Sequence, residues 1–245
     1  MNKDSGFSRR RFLQISGAGV LGMELLRSGG DMLHIPQATA AEVTSPMTCD
    51  EALKELMDGN KRFISSMNDN CVQRTPDRRM EVAEGQNPFA VILACADSRV
   101  SPEIIFDQWI GDLFVVRVAG NIVSPPNYGV VGSIEYGVKA LGVNLIMVLG
   151  HSRCGAVESA IKGLKTGASY PGSIETIVKT VEPSVVKAKK EPGDLLQNSI
   201  LENVRIGVGK LRNWDPVIAP LVKEGKVKVV GGNYDLVSGE VSLVT

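Results

Sequence analysis

Three short apolar runs in the middle of the chain predict the centre of a β-sheet. They cover residues 89–94, 113–119 and 145–149, and each is rich in valine or isoleucine. Apolar runs of this length without alternation are typical of strands that are buried on both faces, as in parallel sheets. Between the second and third runs, apolar side chains recur at helical spacing over residues 128–141. This order predicts a strand, helix, strand unit.

Helical patterns flank these strands on both sides. Thr48 and Glu51 have the spacing of a capping box and open an amphipathic stretch, which predicts an N-terminal helical arm. Further helices are expected over residues 154–165, 174–190 and 194–214, with a short one ending near Gly225.

The remaining segments complete the predicted fold. Residues 67–85 are polar and fit a loop with one short helix. The tail fits a strand over residues 226–230, a turn around Gly239 and a last strand over residues 241–244. The predicted fold class is therefore α/β, with a central, mainly parallel β-sheet flanked by helices and an N-terminal helical arm. A single domain over residues 41–245 is the simplest organisation.

The N-terminal segment differs from the rest and predicts an export signal. The arginines at 9–11 precede Phe12, a weakly apolar stretch over 15–26 and an Ala-x-Ala site that ends at Ala40. These features are typical of a twin-arginine signal peptide over residues 1–40, and they predict a periplasmic or otherwise extracytoplasmic protein. A basic, disordered arm is the alternative interpretation. No stable membrane span is expected, because a span needs roughly 20 apolar residues.

Composition favours a globular protein with a small-molecule partner. Hydrophobic residues make up 43% of the 245 residues, which is enough for a sizeable core. Lys and Arg number 27, as do Asp and Glu, so the formal net charge is zero. No nucleic-acid surface is therefore predicted. The chain has 2 histidines, His34 and His151, and cleavage after Ala40 would leave His151 alone.

The cysteines are compatible with disulfides or with a metal site. There are 4, at positions 49, 71, 95 and 154. Cys95 directly follows the first predicted strand, whereas His151 and Cys154 follow the third, and parallel strands end at one edge of a sheet. Two thiolates and one imidazole form a known catalytic zinc set with an open fourth position. The alternatives are a buried thiol pair with a satisfied histidine, or a disulfide between Cys95 and Cys154.

These motifs together resemble the β-class carbonic anhydrases. The resemblance rests on Cys-x-Asp-Ser-Arg at 95–99 and Gly-His-x-x-Cys-Gly at 150–155, and it extends over further matching segments from Gln86 onward. It implies one Zn²⁺ per subunit, held by Cys95, His151 and Cys154. It also implies reversible hydration of carbon dioxide to bicarbonate and a proton, by attack of zinc-bound hydroxide. The expected assembly is a homodimer or a dimer-based higher oligomer.

The resemblance implies further site residues. Asp97 would accept the hydrogen bond of the hydroxide, and Arg99 would hold Asp97 in a two-pronged pair. Without Arg99, Asp97 would become a fourth metal ligand in a closed state. Gln86 would bind a substrate oxygen, and Ile92 stands where a bicarbonate-inhibited subgroup carries tryptophan, which favours the non-regulated subgroup. The pocket, partly formed across a dimer interface, would be lined by Phe114, Ala119, Tyr136 and Gly155.

Alternative functions stay open at this point. A zinc hydrolase that acts on carbonyl sulfide or carbon disulfide would carry the same ligands. A non-catalytic, zinc-stabilised interaction domain would carry them with a closed fourth position. Asp97, Arg99 and Gln86 favour the enzyme over the interaction domain. A disulfide between Cys49 and Cys71 is a hypothesis that rests only on their number and proximity in sequence.

Overall fold

The computed structural model describes residues 47–65, 75–124 and 128–244. The predicted signal peptide and Cys71 lie outside them. The helices are α1 Cys49–Ile64, α2 Pro76–Glu81, α3 Pro102–Ile105, α4 Tyr128–Lys139, α5 Gly155–Thr166, α6 Ile174–Ala188, α7 Leu195–Arg212 and α8 Ile218–Lys223. The strands are β1 Ala90–Ala94, β2 Leu113–Arg117, β3 Leu145–His151, β4 Lys228–Tyr234 and β5 Val241–Val244. Within these ranges, no helix combines the length and the apolar character needed to cross a membrane.

The strands form one sheet in the order β2-β1-β3-β4-β5. The pairs of β1 with β2, of β1 with β3 and of β3 with β4 are parallel, and only β5 runs antiparallel to its neighbour β4. The predicted mainly parallel sheet flanked by helices is confirmed. Some boundaries differ: β2 ends at Arg117 and not at 119, and β3 continues to His151. The strand β4 continues past the predicted end at residue 230 as far as Tyr234, which pairs with His151.

Helices cover both faces of the sheet, and side chains of the central strands alternate between them. In β1, Val91 and Leu93 pack in the core that α4, α7 and α8 complete, whereas Ile92 packs in the core that α1 and α3 complete. Every residue of β1 and β3 is buried. This burial on both faces explains why continuous apolar runs, without alternation, predicted these strands.

The strand β2 lies at the edge of the sheet, and the prediction that it is buried is wrong. Val116 is its only buried residue, while Phe114 and Val115 are half-buried. The outer side of β2 has no partner strand among the described residues. Apart from Arg117 at its end, its side chains are as apolar as those of β1, so the hydrophobic pattern could not show where the sheet ends.

The N-terminal arm begins as predicted and packs on the domain. The backbone N–H of Thr48 donates to Glu51 Oε2 at 2.8 Å, and Thr48 Oγ1 accepts from the Glu51 N–H at 3.2 Å, which completes the capping box of α1. Farther along α1, Asn60 Nδ2 donates to the carbonyl oxygens of Ile105 at 3.1 Å and Gly239 at 2.8 Å. These bonds attach the arm to α3 and to the β4–β5 hairpin.

Candidate metal centre

Cys95, His151 and Cys154 converge at the carboxyl edge of the sheet. Cys95 follows β1 directly, and His151 is the last residue of β3, the neighbouring parallel strand. Cys154 is the N-cap of α5, and Arg153 adopts a left-handed φ of 57° that turns the chain between the two ligands. One donor atom from each residue lies within 4.8 Å of the others, and all three residues are buried. The structure thus brings together the residues that the strand ends predicted.

The donor atoms of this cluster fit Zn²⁺. His151 Nδ1 lies 2.9 Å from the Ser152 carbonyl oxygen, which assigns the ring proton to Nδ1 and leaves the lone pair on Nε2. Nε2 is buried and has no hydrogen-bond partner in the part of the chain that the structure describes. Cys95 and Cys154 are free thiols, so the alternative of a disulfide between them is wrong. Two buried sulfurs and one buried imidazole nitrogen are the set of a tetrahedral zinc site with one open position.

The two thiols of the cluster interact with each other. The hydrogen bond between them lowers the pKa of Cys95 and raises the pKa of Cys154, which burial raises further. This favours one thiolate beside one thiol. Because zinc binds both sulfurs as thiolates, metal binding must release the remaining proton and therefore depends on pH.

Asp97 lies beside the cluster and is held by Arg99. Arg99 Nε donates to Oδ1 at 2.9 Å, and Nη2 donates to Oδ2 at 2.7 Å. The backbone N–H of Arg99 donates to Oδ1 as well, at 2.9 Å. The Arg99 side chain holds the pKa of the Asp97 carboxyl well below its usual range. Since Oδ2 lies 4.0 Å from His151 Nε2, Asp97 places an ionised acceptor next to the metal ligands.

Two residues that support this site were not predicted as part of it. Arg117, the last residue of β2, donates from Nε to the Cys95 carbonyl oxygen at 3.0 Å and from Nη2 to the Asp97 carbonyl oxygen at 2.6 Å. Asn203 in α7 donates to the Gly120 carbonyl oxygen at 2.8 Å. Arg117 lies between the two quoted motifs, within the stretch from Gln86 onward over which the family resemblance extends, so the resemblance could have indicated it. Asn203 stands in an ordinary amphipathic helix, and no sequence signal distinguishes it.

Ala119 and Gly155, predicted to line the substrate pocket, adjoin the cluster. Ala119 is half-buried and begins a 3₁₀ turn, Ala119–Asn121, in which the Gly120 N–H donates to Cys95 Sγ at 3.2 Å. Gly155 follows Cys154 directly and is the exposed first residue of α5. Both residues therefore adjoin the metal cluster in the chain, Gly155 next to Cys154 and Ala119 next to the Gly120 that bonds Cys95.

Phe114, Tyr136 and Gln86 lie away from the cluster of their own chain. Phe114 pairs in register with Val91. At a rise of ~3.3 Å per residue, Val91 lies about 13 Å from Cys95 along the direction of β1. Tyr136 is 42% exposed, and its ring centroid lies 6.1 Å from that of Phe114. Gln86 is exposed and precedes β1, so it lies toward the opposite edge of the sheet from Cys95. One chain does not bring these three predicted residues to its own metal site.

The known proteins that resemble this chain in sequence have an activity that agrees with the chemistry of this site. A sequence model described as carbonic anhydrase matches residues 90–241. Carbonic anhydrase 2 of Mycobacterium tuberculosis is 39% identical over 200 residues, which cover 82% of this chain and 93% of that protein. The carbonic anhydrase of Mycolicibacterium smegmatis is 38% identical over 192 residues, covering 78% of this chain and 91% of that protein.

Comparison with solved structures gives the same result. The β-carbonic anhydrase CcaA matches with a TM-score of 0.63 and 29% identity, over 78% of this chain and 86% of that one. The Coccomyxa β-carbonic anhydrase matches with a TM-score of 0.61 and 26% identity, over the same shares of the two chains. The Cys95, His151 and Cys154 cluster supplies the ligands for the zinc that these enzymes use. The chain is a zinc-dependent carbonate dehydratase, which hydrates carbon dioxide reversibly, and it belongs to the β class of the carbonic anhydrase family.

Proposed function

We propose that Asp97 and Arg99 are the catalytic pair of this carbonic anhydrase, beside one Zn²⁺ held by Cys95, His151 and Cys154. The position of Asp97 Oδ2, 4.0 Å from His151 Nε2, is the observation that carries the assignment. When bound, zinc supplies a Lewis acid that activates water for addition to carbon dioxide. Three protein ligands leave one position open for that water.

Asp97 orients the reacting water in this proposal. Because Arg99 keeps the pKa of Asp97 low, the carboxylate is ionised, and Oδ2 can accept a hydrogen bond but cannot donate one. A fixed acceptor directs the oxygen lone pair toward the substrate without reorganising during the reaction. Arg99 occupies both carboxylate oxygens, so that Asp97 stays out of the open metal position.

Stopped-flow measurement of carbon dioxide hydration, combined with zinc analysis, tests these roles. Wild type should contain one zinc per chain, and Cys95→Ala should lose both zinc and activity. Asp97→Asn should keep zinc and lose roughly 10²- to 10⁴-fold in rate, the range for a positioned acid or base. Cys49→Ala is the matched control, since the Cys49 thiol contacts the Asn144 carbonyl oxygen at 3.3 Å and not the cluster. Wild-type rates in Cys95→Ala or Asp97→Asn would contradict the respective role.

A second copy of the chain completes the substrate pocket in this proposal. Support comes from Gln86, Phe114 and Tyr136, which lie far from the cluster of their own chain and are exposed or half-buried. Phe114 lies in the edge strand β2 and Tyr136 lies on α4, and a cavity of about 410 Å³ lies between these two elements. Two carbonic anhydrases of Sordaria macrospora with this fold are described as tetrameric. Pairing along β2 would bury the half-exposed apolar side chains and carry Gln86 of one copy toward the metal of the other.

Mixing two inactive variants tests the shared site. Cys95→Ala lacks a metal site but keeps Gln86, and Gln86→Ala keeps the metal site. If copies complete each other, a mixed dimer regains one intact site, and activity should exceed that of either variant alone. Sedimentation analysis must show dimers or larger assemblies in the same samples. A monomeric enzyme, or a mixture with no gain in activity, would contradict the proposal.

Residues 1–40 act as a twin-arginine export signal in this proposal, and the mature domain covers residues 41–245. The arginine pair, the apolar stretch and the Ala-x-Ala site support it. Twin-arginine export is expected to carry folded protein, so zinc would meet the cysteines in the reducing cytoplasm. Replacing Arg9 and Arg10 together by lysine should retain the protein in the cytoplasm, whereas Arg27→Lys should not. Cell fractionation and mass measurement of the mature N-terminus are the readouts, and export of the double variant would contradict the signal.

A further inference from the structure

The turn Ala119–Asn121 contacts the metal cluster through one backbone hydrogen bond and is held in an unfavourable conformation. Gly120 and Asn121 both have left-handed φ angles, of 71° and 43°. A Cβ at Gly120 would be strained by this φ and would also lie 3.1 Å from the Ala156 Cβ. A left-handed φ costs free energy at a residue other than glycine, so the conformation of Asn121 persists only where the surroundings fix it. The Gly120 N–H, which donates to Cys95 Sγ at 3.2 Å, therefore depends on contacts that hold this turn.

Asn203 supplies one of these contacts from the other side of the turn. Its Nδ2 donates to the Gly120 carbonyl oxygen at 2.8 Å, across 83 residues of sequence, and only 7% of Asn203 is exposed. Its neighbours Ile200 and Val204 on α7 are buried in the core, so the helix is a rigid support. Gly120 is thus held at both of its backbone polar atoms, by a metal-binding sulfur and by a buried amide.

We propose that Asn203 is a positioning residue for the zinc site, which acts by keeping the Gly120 N–H directed at Cys95 Sγ. A hydrogen bond to a thiolate draws electron density from the sulfur and orients it, and outer partners of this kind tune both metal affinity and the electronic structure of the site. The inference rests on the proposed role of Cys95 as a zinc ligand. It goes beyond that role, because Asn203 would act on the site through its hydrogen bond to Gly120.

Metal binding and spectroscopy separate positioning from a merely structural role. Asn203→Ala should weaken zinc binding roughly tenfold or more in chelator competition. In the cobalt(II)-substituted protein, the thiolate-to-cobalt charge-transfer band should move to longer wavelength, because a sulfur that loses its hydrogen bond donates more readily. Ser199→Ala is the matched control: Ser199 is buried on the same helix, and its hydroxyl donates to the Leu195 carbonyl oxygen at 2.6 Å within α7. That variant should leave the zinc affinity and the band unchanged.

A second variant distinguishes the loss of the Asn203 hydrogen bond from a folding defect caused by a smaller side chain. Asn203→Leu keeps nearly the size of the side chain but has no hydrogen-bond donor, so it should shift the band in the same direction as Asn203→Ala. If wild type shows no thiolate band, or Cys95→Ala retains the wild-type band, the ligand assignment fails. If wild type shows the band and Asn203→Leu matches it in affinity and wavelength, only the role of Asn203 is overturned. A shift of equal size in Ser199→Ala would overturn it as well.

Discussion

Oδ2 of Asp97 lies 4.0 Å from Nε2 of His151, the nitrogen that carries the free lone pair of the cluster. At this separation the carboxylate does not bond to the imidazole, because hydrogen bonds require about 2.7–3.2 Å. Arg99 Nη2 donates to the same Oδ2 at 2.7 Å. The carboxylate therefore stands next to the metal ligands while Arg99 occupies both of its oxygens.

Arg99→Lys should show whether Asp97 needs the two parallel hydrogen bonds from Arg99 or only its positive charge. Lysine keeps the positive charge but cannot donate two parallel hydrogen bonds to a carboxylate, so Asp97 would become free to approach the metal. We expect the rate of carbon dioxide hydration to fall by roughly tenfold or more while zinc content stays at one per chain. Arg153→Lys is the matched control, because only the backbone carbonyl of Arg153 faces Arg99, at 3.5 Å. Equal rates in the two variants would contradict the role of the two-pronged pair.

Removal of zinc should lower stability as well as activity. The cluster is buried, and metal that binds only the folded chain stabilises it by about 2.7 kcal/mol at a free concentration of 100 times the Kd. Scanning calorimetry of chelator-treated protein should therefore show a lower Tm, which rises again with added zinc. The Tm of His151→Ala should neither fall on treatment with chelator nor rise with added zinc. A Tm of wild type that does not respond to zinc would contradict a built metal site in the folded core.

Gly59 fixes how closely the N-terminal arm approaches the domain. A Cβ at this position would lie 1.8 Å from the Phe106 carbonyl oxygen, which is backbone and cannot move aside as a side chain would. Gly59→Ala should therefore lower the free energy of unfolding by about 1–3 kcal/mol. Gly209→Ala, in the last turn of α7 with open space around it, should raise it by about 0.5–1 kcal/mol. Urea unfolding measures both changes, and equal effects would show that α1 does not pack this closely.

The sequence predicted the parts of this molecule that depend on local pattern. The capping box of Thr48, the strand β1 and the convergence of Cys95 with His151 all follow from residue spacing and from the direction of parallel strands. The edge position of β2 could not be predicted, since partners across a sheet leave no trace in the hydrophobicity of one strand. Asn203 was missed for a related reason: its importance comes from a contact with Gly120, far away in the sequence.

Turnover should increase with pH above neutrality. Two thiolate ligands give zinc more negative charge than three neutral imidazoles, so the water it activates should ionise above the pH near 7 of a histidine-only site. Asp97 does not cause this rise, because Arg99 depresses its pKa; the charge that it contributes is lost only in acid, as pH falls through that pKa. Stopped-flow rates from pH 6 to 9 at constant ionic strength are the measurement. A flat profile over this range would contradict the prediction.

Proton release should depend on external buffer. His151 is fully buried, its Nδ1 is engaged by Ser152 and its Nε2 faces the cluster, so it cannot carry protons to solvent. The other of the 2 histidines, His34, lies in the proposed signal peptide, and the mature domain therefore has no imidazole to act as a shuttle. At fixed pH and ionic strength, the hydration rate should rise with imidazole concentration and then level off where another step becomes limiting. His34→Gln should behave as wild type does. A rate independent of imidazole would mean that tyrosine or carboxylate side chains near the site transfer the proton fast enough alone.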